Sequence, residues 1–419
     1  MLENLEKRIK RQVHGKLHRF TAVVPLGFEA TLVQELRQIG VAAKDDSFET
    51  ADGKVTFEAK LTDAWKAVAY SRIANRILMD IASFKAENFR ELEKKAAEIP
   101  WELYLPPVPV TPDTVPVHVT CKHSRLYHSD AVAERFYDVI KGGSLPLVRT
   151  ASLSTPSAGT PRNAPPQDRP SSQNLFVTLI DDRCTVSLDL AGEELYKRGH
   201  QRFVNEAPLK ETIAAAMLFE AFEQEQSPIT LIDPMAGSGT FSLEAAYIAN
   251  GLIPGKCRDF ALKHQPAFKD ATWNYIIKQE DVIAAITILT SDISDKAVEI
   301  IKHNVEASPL PKGCINPEKR DFFSYTPDKI EKLRGESQAV IVLNPPYGKR
   351  LDANAPKLYA DIGKKLSEFK GCTVAILAPK GACTENLLKN CAALGSPSTK
   401  VIKTSHGGIS LNCFVGKIF

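Results

Sequence analysis

Apolar and polar positions follow different periods in the two parts of the chain. Near the start, residues 20–24 are strand-like, and residues 27–39 place Phe28, Leu32, Leu36 and Ile39 on one face of an amphipathic helix. Asp52-Gly53 suits a hairpin turn ahead of a strand at 54–57. Residues 61–78 keep a helical period, with Trp65, Val68, Ile73 and Ile77 apolar. A proline-rich connector at 106–116 leads to a strand at 116–120 and a helix at 129–140. Residues 175–180 and 185–190 alternate as a hairpin that turns at Asp181-Asp182.

From residue 229 onward the pattern changes. Continuous apolar runs at 229–232, 285–289, 339–343 and 373–377 alternate with helical stretches. Runs without polar alternation are buried on both faces, as a parallel sheet covered by helices requires. Residues 399–404 and 411–418 read as two strands joined through Gly407-Gly408. The pattern therefore predicts an α/β doubly wound region, with a mostly parallel sheet ending in an antiparallel hairpin, behind a smaller α+β part.

Composition narrows this picture. A chain of 419 residues exceeds one core of ordinary size, so two or three domains are expected. No apolar run nears the roughly 20 residues that cross a bilayer, and the basic N-terminus is not followed by an apolar segment. A cytoplasmic protein with no membrane partner is the expectation. The eight cysteines are scattered without a C-x-x-C pair, so they read as mostly buried thiols in a reducing compartment, and no metal site is expected.

The net charge of +3 is too small to attract nucleic acid through the whole protein. Its distribution is uneven, however. Lys7, Arg8, Lys10, Arg11, Lys16 and Arg19 crowd the first stretch against Glu3 and Glu6, either as a solvated helix end or as a phosphate-contacting arm. A second basic stretch, Cys121 to His128, lies between a strand and a helix. There Lys122 and Arg125 can hold phosphate and Tyr127 can stack on an unpaired base; the alternative is an ordinary polar loop. Residues 148–173, rich in Ser, Pro, Thr and Ala, carry too little apolar bulk to fold alone and are expected to form a mobile surface loop.

Two motifs carry chemistry. Asp233-Pro-Met-Ala236-Gly237-Ser-Gly239-Thr240 directly follows one apolar run and directly precedes a helix at 241–250. Its glycines let the backbone turn sharply and approach a ligand at the carboxyl end of a strand. It has neither three spaced glycines nor a lysine, so it is not a dinucleotide fingerprint or a P-loop. Downstream, Asp292 follows the next strand and can accept both hydroxyls of a ribose, and Asp321 after a further unit can accept from an adenine amino group. Taken singly, each Asp is more often a turn residue or helix N-cap; their order and spacing after the glycine loop point to a ligand.

The second motif, Asn344-Pro345-Pro346-Tyr347-Gly348, follows the run at 339–343. The prolines fix the backbone and remove two N–H donors, so a carbonyl can face outward as an acceptor beside the Asn344 oxygen. Two adjacent acceptors suit an amino group, and the Tyr347 ring offers a face for stacking. The motif thus holds a planar amine with its lone pair aimed at an electrophile.

In this order the motifs resemble those of class I amino-methyltransferases. Leu188-Asp-Leu-Ala-Gly-Glu-Glu-Leu-Tyr-Lys-Arg-Gly-His200 and Ala207-Pro208-Leu-Lys-Glu-Thr-Ile-Ala214 are similar to stretches of the THUMP-domain RNA methyltransferases, of the RlmL type that makes N2-methylguanosine in 23S ribosomal RNA. Residues 20–40 resemble that family's ferredoxin-like entry domain, and Ser124-Arg-Leu-Tyr127 its THUMP core. The resemblance implies a Rossmann-like class I methyltransferase domain at 191–419, a ferredoxin-like part at 1–65 and a THUMP domain at 66–190, the latter two forming an α+β RNA-binding module.

It also implies S-adenosyl-L-methionine as cofactor. Asp233, Ala236, Gly237, Gly239 and Thr240 would surround its methionine part, Asp292 its ribose and Asp321 its adenine, with Ala207, Pro208 and Leu209 lining the pocket. Asn344, Pro345, Pro346 and Tyr347 would hold the target base, Asn344 also bordering the cofactor. Lys349 and Arg350 would meet phosphate. The chemistry then needs in-line alignment of nitrogen, methyl carbon and sulfur, with Asn344 and Pro345 oxygens stabilising charge growing on nitrogen, and neither a strong base nor a metal.

Three departures accompany the resemblance. The 148–173 segment is longer than the family leads one to expect. Ala236 stands where many members carry Cys, a small-for-small change. With the sequence ending at the hairpin, the second methyltransferase domain of some fused relatives is not expected, and a single modification is. The expected partner is RNA, as 23S ribosomal RNA or a ribosomal precursor, with monomer and weak homodimer both open. Because the amine motif does not read the base, a DNA or RNA adenine-N6 methyltransferase is the first rival and a non-catalytic RNA-binding protein the second.

Overall fold

The computed structural model describes residues 2–142, 173–200, 202–204, 208–225, 228–278, 285–346 and 354–419. They form two compact units interleaved in sequence. The first comprises Met1–Val23, Glu35–Gly199 and Cys257–Lys278; the second comprises Val24–Gln34, His200–Lys256 and Gln279–Phe419.

The strands of the first unit are β1 (His18–Val23), β2 (Phe48–Ala51), β3 (Lys54–Ala59), β4 (Arg76–Lys85), β5 (Val117–Lys122), β6 (Leu175–Ile180) and β7 (Arg183–Asp189). They make one sheet in the order β2-β3-β1-β4-β7-β6-β5, antiparallel except where β5 runs parallel to β6. Strands on either side of residue 65 therefore share a single sheet. Chain order also gives α1 (Leu2–Ile9), α2 (Glu29–Gln38), α3 (Leu61–Tyr70), α4 (Phe89–Ala97) and α5 (Ser129–Gly142). The β6–β7 turn lies at the expected Asp181-Asp182, with φ of 50° and 61°, the left-handed pair that tight hairpins use.

The helix expected over 61–78 stops at Tyr70, and β4 begins six residues later at Arg76. The buried Glu35 carboxylate causes the break. It accepts from Ser71 Oγ at 2.6 Å, Arg72 N at 2.8 Å and Ile73 N at 3.4 Å, drawing off donors that a continuing helix would use. Ile73 and Ile77 kept the apolar period because both are buried beyond the break as well. Of the N-terminal cations, Arg8 pairs with Glu102 at 2.6 Å and Arg19 with Glu49 at 2.7 Å. Of the stretch 148–173, only Gln173 lies within the described residues. It is buried and donates to the Asp189 carbonyl at 2.9 Å, so it belongs to the folded unit.

Residues 257–278 join this first unit through Arg258, whose guanidinium donates to the carbonyls of Glu193 (2.7 Å), Glu194 (2.8 Å) and Lys197 (2.8 Å). The short helix α8 (Asp270–Ile276) follows.

The second unit holds β8 (Ile229–Asp233), β9 (Ile286–Asp292), β10 (Glu318–Lys319), β11 (Gln338–Leu343), β12 (Thr373–Pro379), β13 (Lys400–His406) and β14 (Ile409–Lys417). Their order is β10-β9-β8-β11-β12-β14-β13; the first five run parallel and the last two form the expected hairpin through Gly407-Gly408. β9 runs on past the expected Leu289 to include Asp292.

Its helices, after the first half of α2, are α6 (Glu211–Phe222), α7 (Thr240–Ala249), α9 (Asp295–Glu306), α10 (Pro327–Arg334), α11 (Ala355–Ser367) and α12 (Ala382–Asn390). Tyr359, Ile362, Leu366 and Leu387 of α11 and α12 pack with β11 and β12, while Leu243 and Tyr247 of α7 pack with Ile301 of α9. Residues 24–34 are tied in by Glu220 of α6, which accepts from Thr31 Oγ1 and from Lys400 Nζ at 2.6 Å. The chain builds outward from β8 through β9 to β10, then returns to β11 on the other side of β8. The gap between the carboxyl ends of β8 and β11 is thus the point where strand order reverses, the usual ligand crevice of such sheets. The five fully buried cysteines and three half-buried ones are all unpaired.

Candidate active site

Both chemical motifs leave the sheet at that crevice. After β8, the loop 234–239 is shaped by two left-handed glycines, Gly237 (φ 58°) and Gly239 (φ 79°). Ala236 N donates to Ser291 O at 3.1 Å, Gly239 N to Ala236 O at 2.7 Å and Gly237 N to Asp292 Oδ2 at 2.9 Å. Gly239 then caps α7 without any side chain. Its added Cβ would lie 3.1 Å from Ile301, whereas one on Gly237 would meet nothing within 4 Å. Gly239 therefore packs against α9 and Gly237 borders open space.

Asp233 does not face that space. It is 1% exposed, and its Oδ2 accepts from Ser242 Oγ at 2.7 Å and Ser242 N at 3.3 Å; Thr290 Oγ1 donates on to Ser242 Oγ at 2.8 Å. Burial pushes the Asp233 carboxyl up to about 7, Ser242 opposes this, and the Asp292 charge adds to it. Asp233 thus fastens the strand end to α7 from beneath. Asp292 is half-buried and also accepts from Ser294 N at 2.9 Å through Oδ1. Asp321 caps the short turn Phe322–Ser324, its Oδ1 accepting from Phe323 N at 3.0 Å.

After β11, Asn344 is half-buried, Pro345 buried and Pro346 exposed. Asn344 Oδ1 is a buried acceptor with no donor among the described residues. A cleft joins the two motifs. Ala236, Gly237, Ser238, Thr240 and Phe241 line one part, Asn344 and Met235 another, and Pro208 and Leu209 a third. The structure so brings together Pro208, Ala236, Gly237, Thr240 and Asn344, with Asp292 bonded to the same loop. Ala207, Tyr347, Lys349 and Arg350 lie outside the described residues.

Of the expected RNA contacts, Lys122, Arg125 and Tyr127 belong to the first unit. Lys122 ends β5 and is exposed. Arg125 is paired with Glu87 and, at 3.8 Å, with Asp182, so its charge is largely countered locally. Tyr127 is 69% exposed and lies against the His128 ring, 4.1 Å between centroids.

Several residues at the site carried no motif signal. Phe241 lines the cleft, and Arg202 and Asn304 grip its loop. The described residues hold no cluster of His, Cys, Asp or Glu able to bind a metal, and no helix among them is long and apolar enough to cross a membrane.

Comparison with known proteins matches this architecture. Residues 198–408 fit the family model of the RMKL-like methyltransferase domain, and residues 19–78 that of the RlmL ferredoxin-like domain. The "Ribosomal RNA large subunit methyltransferase K/L" of Allochromatium vinosum is 31% identical over 86% of this chain and 47% of its own length. The "Putative RNA methyltransferase YpsC" of Bacillus subtilis is 28% identical over 95% of this chain and 96% of its own. The chain thus spans about half the length of the K/L relative and nearly all of YpsC. In structure it is similar to "SMU.472, a putative methyltransferase complexed with SAH", with a TM-score of 0.74, 24% identity, and coverage of 96% of this chain and 98% of that one; this likeness is one of fold. With the family model covering half the sequence, a class I methyltransferase sheet, and both motifs at its crevice, the chain belongs to the RMKL-like methyltransferase family.

Proposed function

We propose that this protein transfers a methyl group from S-adenosyl-L-methionine to an exocyclic base amine in RNA, guanine N2 of large-subunit ribosomal RNA. The observation that carries this reading is the unpartnered, buried Asn344 Oδ1 beside the glycine-lined cleft. A buried acceptor without a donor is costly, and a bound amino group would supply one. The names of the K/L and YpsC relatives support RNA as substrate, and the K/L name supports ribosomal RNA. A cytoplasmic place of action is part of this reading, as a ribosomal RNA substrate requires.

The residues fit the cofactor. Gly237 leaves the room a ligand needs, and Ala236, Thr240 and Pro208 flank it. Each Asp292 oxygen accepts one backbone N–H and has a lone pair left for a ribose hydroxyl. Asp321 would receive the adenine amino group, while Asp233 holds the loop from below. The bound cofactor supplies an electrophilic methyl. Asn344 Oδ1 and the Pro345 carbonyl orient the amine and stabilise positive charge as it grows on nitrogen. Pro346 keeps that turn rigid, Tyr347 stacks on the base, and Lys349 and Arg350 meet its phosphates. In the ferredoxin-like and THUMP parts, Lys122 and Tyr127 contact RNA and Arg125 braces their loop.

The test is labelled methyl transfer to unmodified ribosomal RNA and, in parallel, to DNA. Incorporation into RNA alone is expected. Incorporation into DNA alone would transfer the assignment to the adenine rival, and none into either would leave the non-catalytic reading.

A further inference from the structure

Two side chains outside the motifs grip the loop that lines the cleft. Arg202 is only 9% exposed and paired with Glu211 at the start of α6. Its Nη2 donates to Thr240 Oγ1 at 3.0 Å and lies 3.4 Å from both Ser238 O and Ser238 Oγ. Its Nε is buried with no partner among the described residues. Asn304, fully buried on α9, accepts from Phe203 N at 2.8 Å and donates to Phe203 O at 2.8 Å and Ser238 O at 3.0 Å. The segment 202–204 and the loop 238–240 are thereby locked to each other.

A guanidinium only donates, so Thr240 Oγ1 is the acceptor in its bond to Arg202. The threonine's own hydrogen is then free to be given elsewhere, and Thr240 lines the cleft. Behind it stands the Arg202 guanidinium, paired among the described residues with the Glu211 carboxylate and largely shut off from water. A free hydroxyl hydrogen at this end of the cleft suits an anionic acceptor.

We infer that Arg202 is a positioning residue: it fixes Thr240 as a hydroxyl donor toward the carboxylate of the cofactor's amino-acid tail. The inference rests on the cofactor reading above and deepens it. Arg202 acts through Thr240, and its effect belongs to the part of the ligand that carries the carboxylate.

Two probes separate this role from a merely structural one. S-adenosylhomocysteine carries the carboxylate; 5′-methylthioadenosine keeps the adenosine and sulfur without it. Affinities of the full chain are measured by titration calorimetry, with thermal unfolding alongside. Arg202→Met is expected to weaken S-adenosylhomocysteine about tenfold, the size of one charge-assisted bond, and to leave methylthioadenosine unchanged. Arg202→Lys should recover part of the loss. Thr240→Val, close to isosteric, should show the same selective loss, and the double variant should lose no more than either single one.

Equal weakening of both probes, or unchanged S-adenosylhomocysteine affinity, overturns the inference. So does additive loss in the double variant. Should Arg202→Met fail to fold, Thr240→Val decides the matter alone. A wild-type chain that binds neither probe removes the cofactor reading, and this inference with it.

Discussion

Replacing each glycine of the β8–α7 loop with alanine separates backbone strain from ligand contact. Gly237 and Gly239 sit at φ of 58° and 79°, where a Cβ costs about 1–2 kcal/mol. The less flexible unfolded chain of an alanine variant offsets about 0.4–1 kcal/mol of that. At Gly237 the added Cβ meets nothing within 4 Å, so the net destabilisation is about 1 kcal/mol. At Gly239 it would lie 3.1 Å from Ile301 Cγ2 and 3.2 Å from Cγ1. That crowding adds about 1 kcal/mol, making about 2. Binding should run the other way. The Gly237 methyl enters the cleft, so S-adenosylhomocysteine affinity should fall at least about tenfold, or ~1.4 kcal/mol. The Gly239 methyl points to α9, and folded Gly239→Ala should bind within about threefold of wild type, or ~0.7 kcal/mol. Urea unfolding gives the first quantity and titration calorimetry the second. If Gly237→Ala binds the ligand as tightly as wild type, this loop is not the cofactor's cradle and the reasoning fails.

Other outcomes follow from the same geometry. Asn344→Ala should lower the rate of methyl transfer by about a hundredfold or more while leaving S-adenosylhomocysteine affinity nearly unchanged; single-turnover transfer at full activity would remove Asn344 from the chemistry. Asp233→Asn keeps an acceptor for Ser242 but cannot ionise. The folded-state value near 7 lies above the ordinary 3.8, so wild type loses stability relative to Asp233→Asn as pH rises between those values, and the gap holds constant above them. Urea unfolding at several pH values would contradict this if the two proteins stayed parallel throughout that window. Tyr127→Ala should weaken RNA binding about tenfold with the salt dependence intact, whereas Lys122→Ala should reduce the log–log salt slope by about 1. RNA affinity unchanged in both would remove this loop from the interface.

The parts of the molecule legible in the sequence are those whose cause is local. The runs at 229–232 and 339–343 are apolar because both sheet faces are covered, and each motif follows its strand directly, so the crevice could be drawn from sequence order alone. The 181–182 turn and the Gly407-Gly408 hairpin were equally local. What escaped depends on distant partners. The helix ends at Tyr70 because Glu35, far upstream, captures Ser71 and its neighbours. Asp233 looked like a ligand-facing acid, yet the Ser242 hydroxyl and burial turn it inward. Asn304 lies 101 residues from the Phe203 backbone it clamps, and nothing in its helix announces this. The helix α6 is apolar nearly all round, buried from Thr212 to Leu218, so it offers no periodic face to detect. The interleaved units have the same origin: Arg258 and Glu220 draw short segments into units remote in sequence.

The central claim is that the Asn344–Pro345 acceptors present a base amine of ribosomal RNA to the methyl donor. The most direct measurement is transfer of a labelled methyl group by the purified protein to large-subunit ribosomal RNA, followed by digestion and chromatographic identification of the labelled nucleoside. N2-methylguanosine is the predicted product, and it should vanish with Asn344→Ala. Label recovered in N6-methyladenosine, or transfer that persists in the Asn344→Ala protein, would contradict the account.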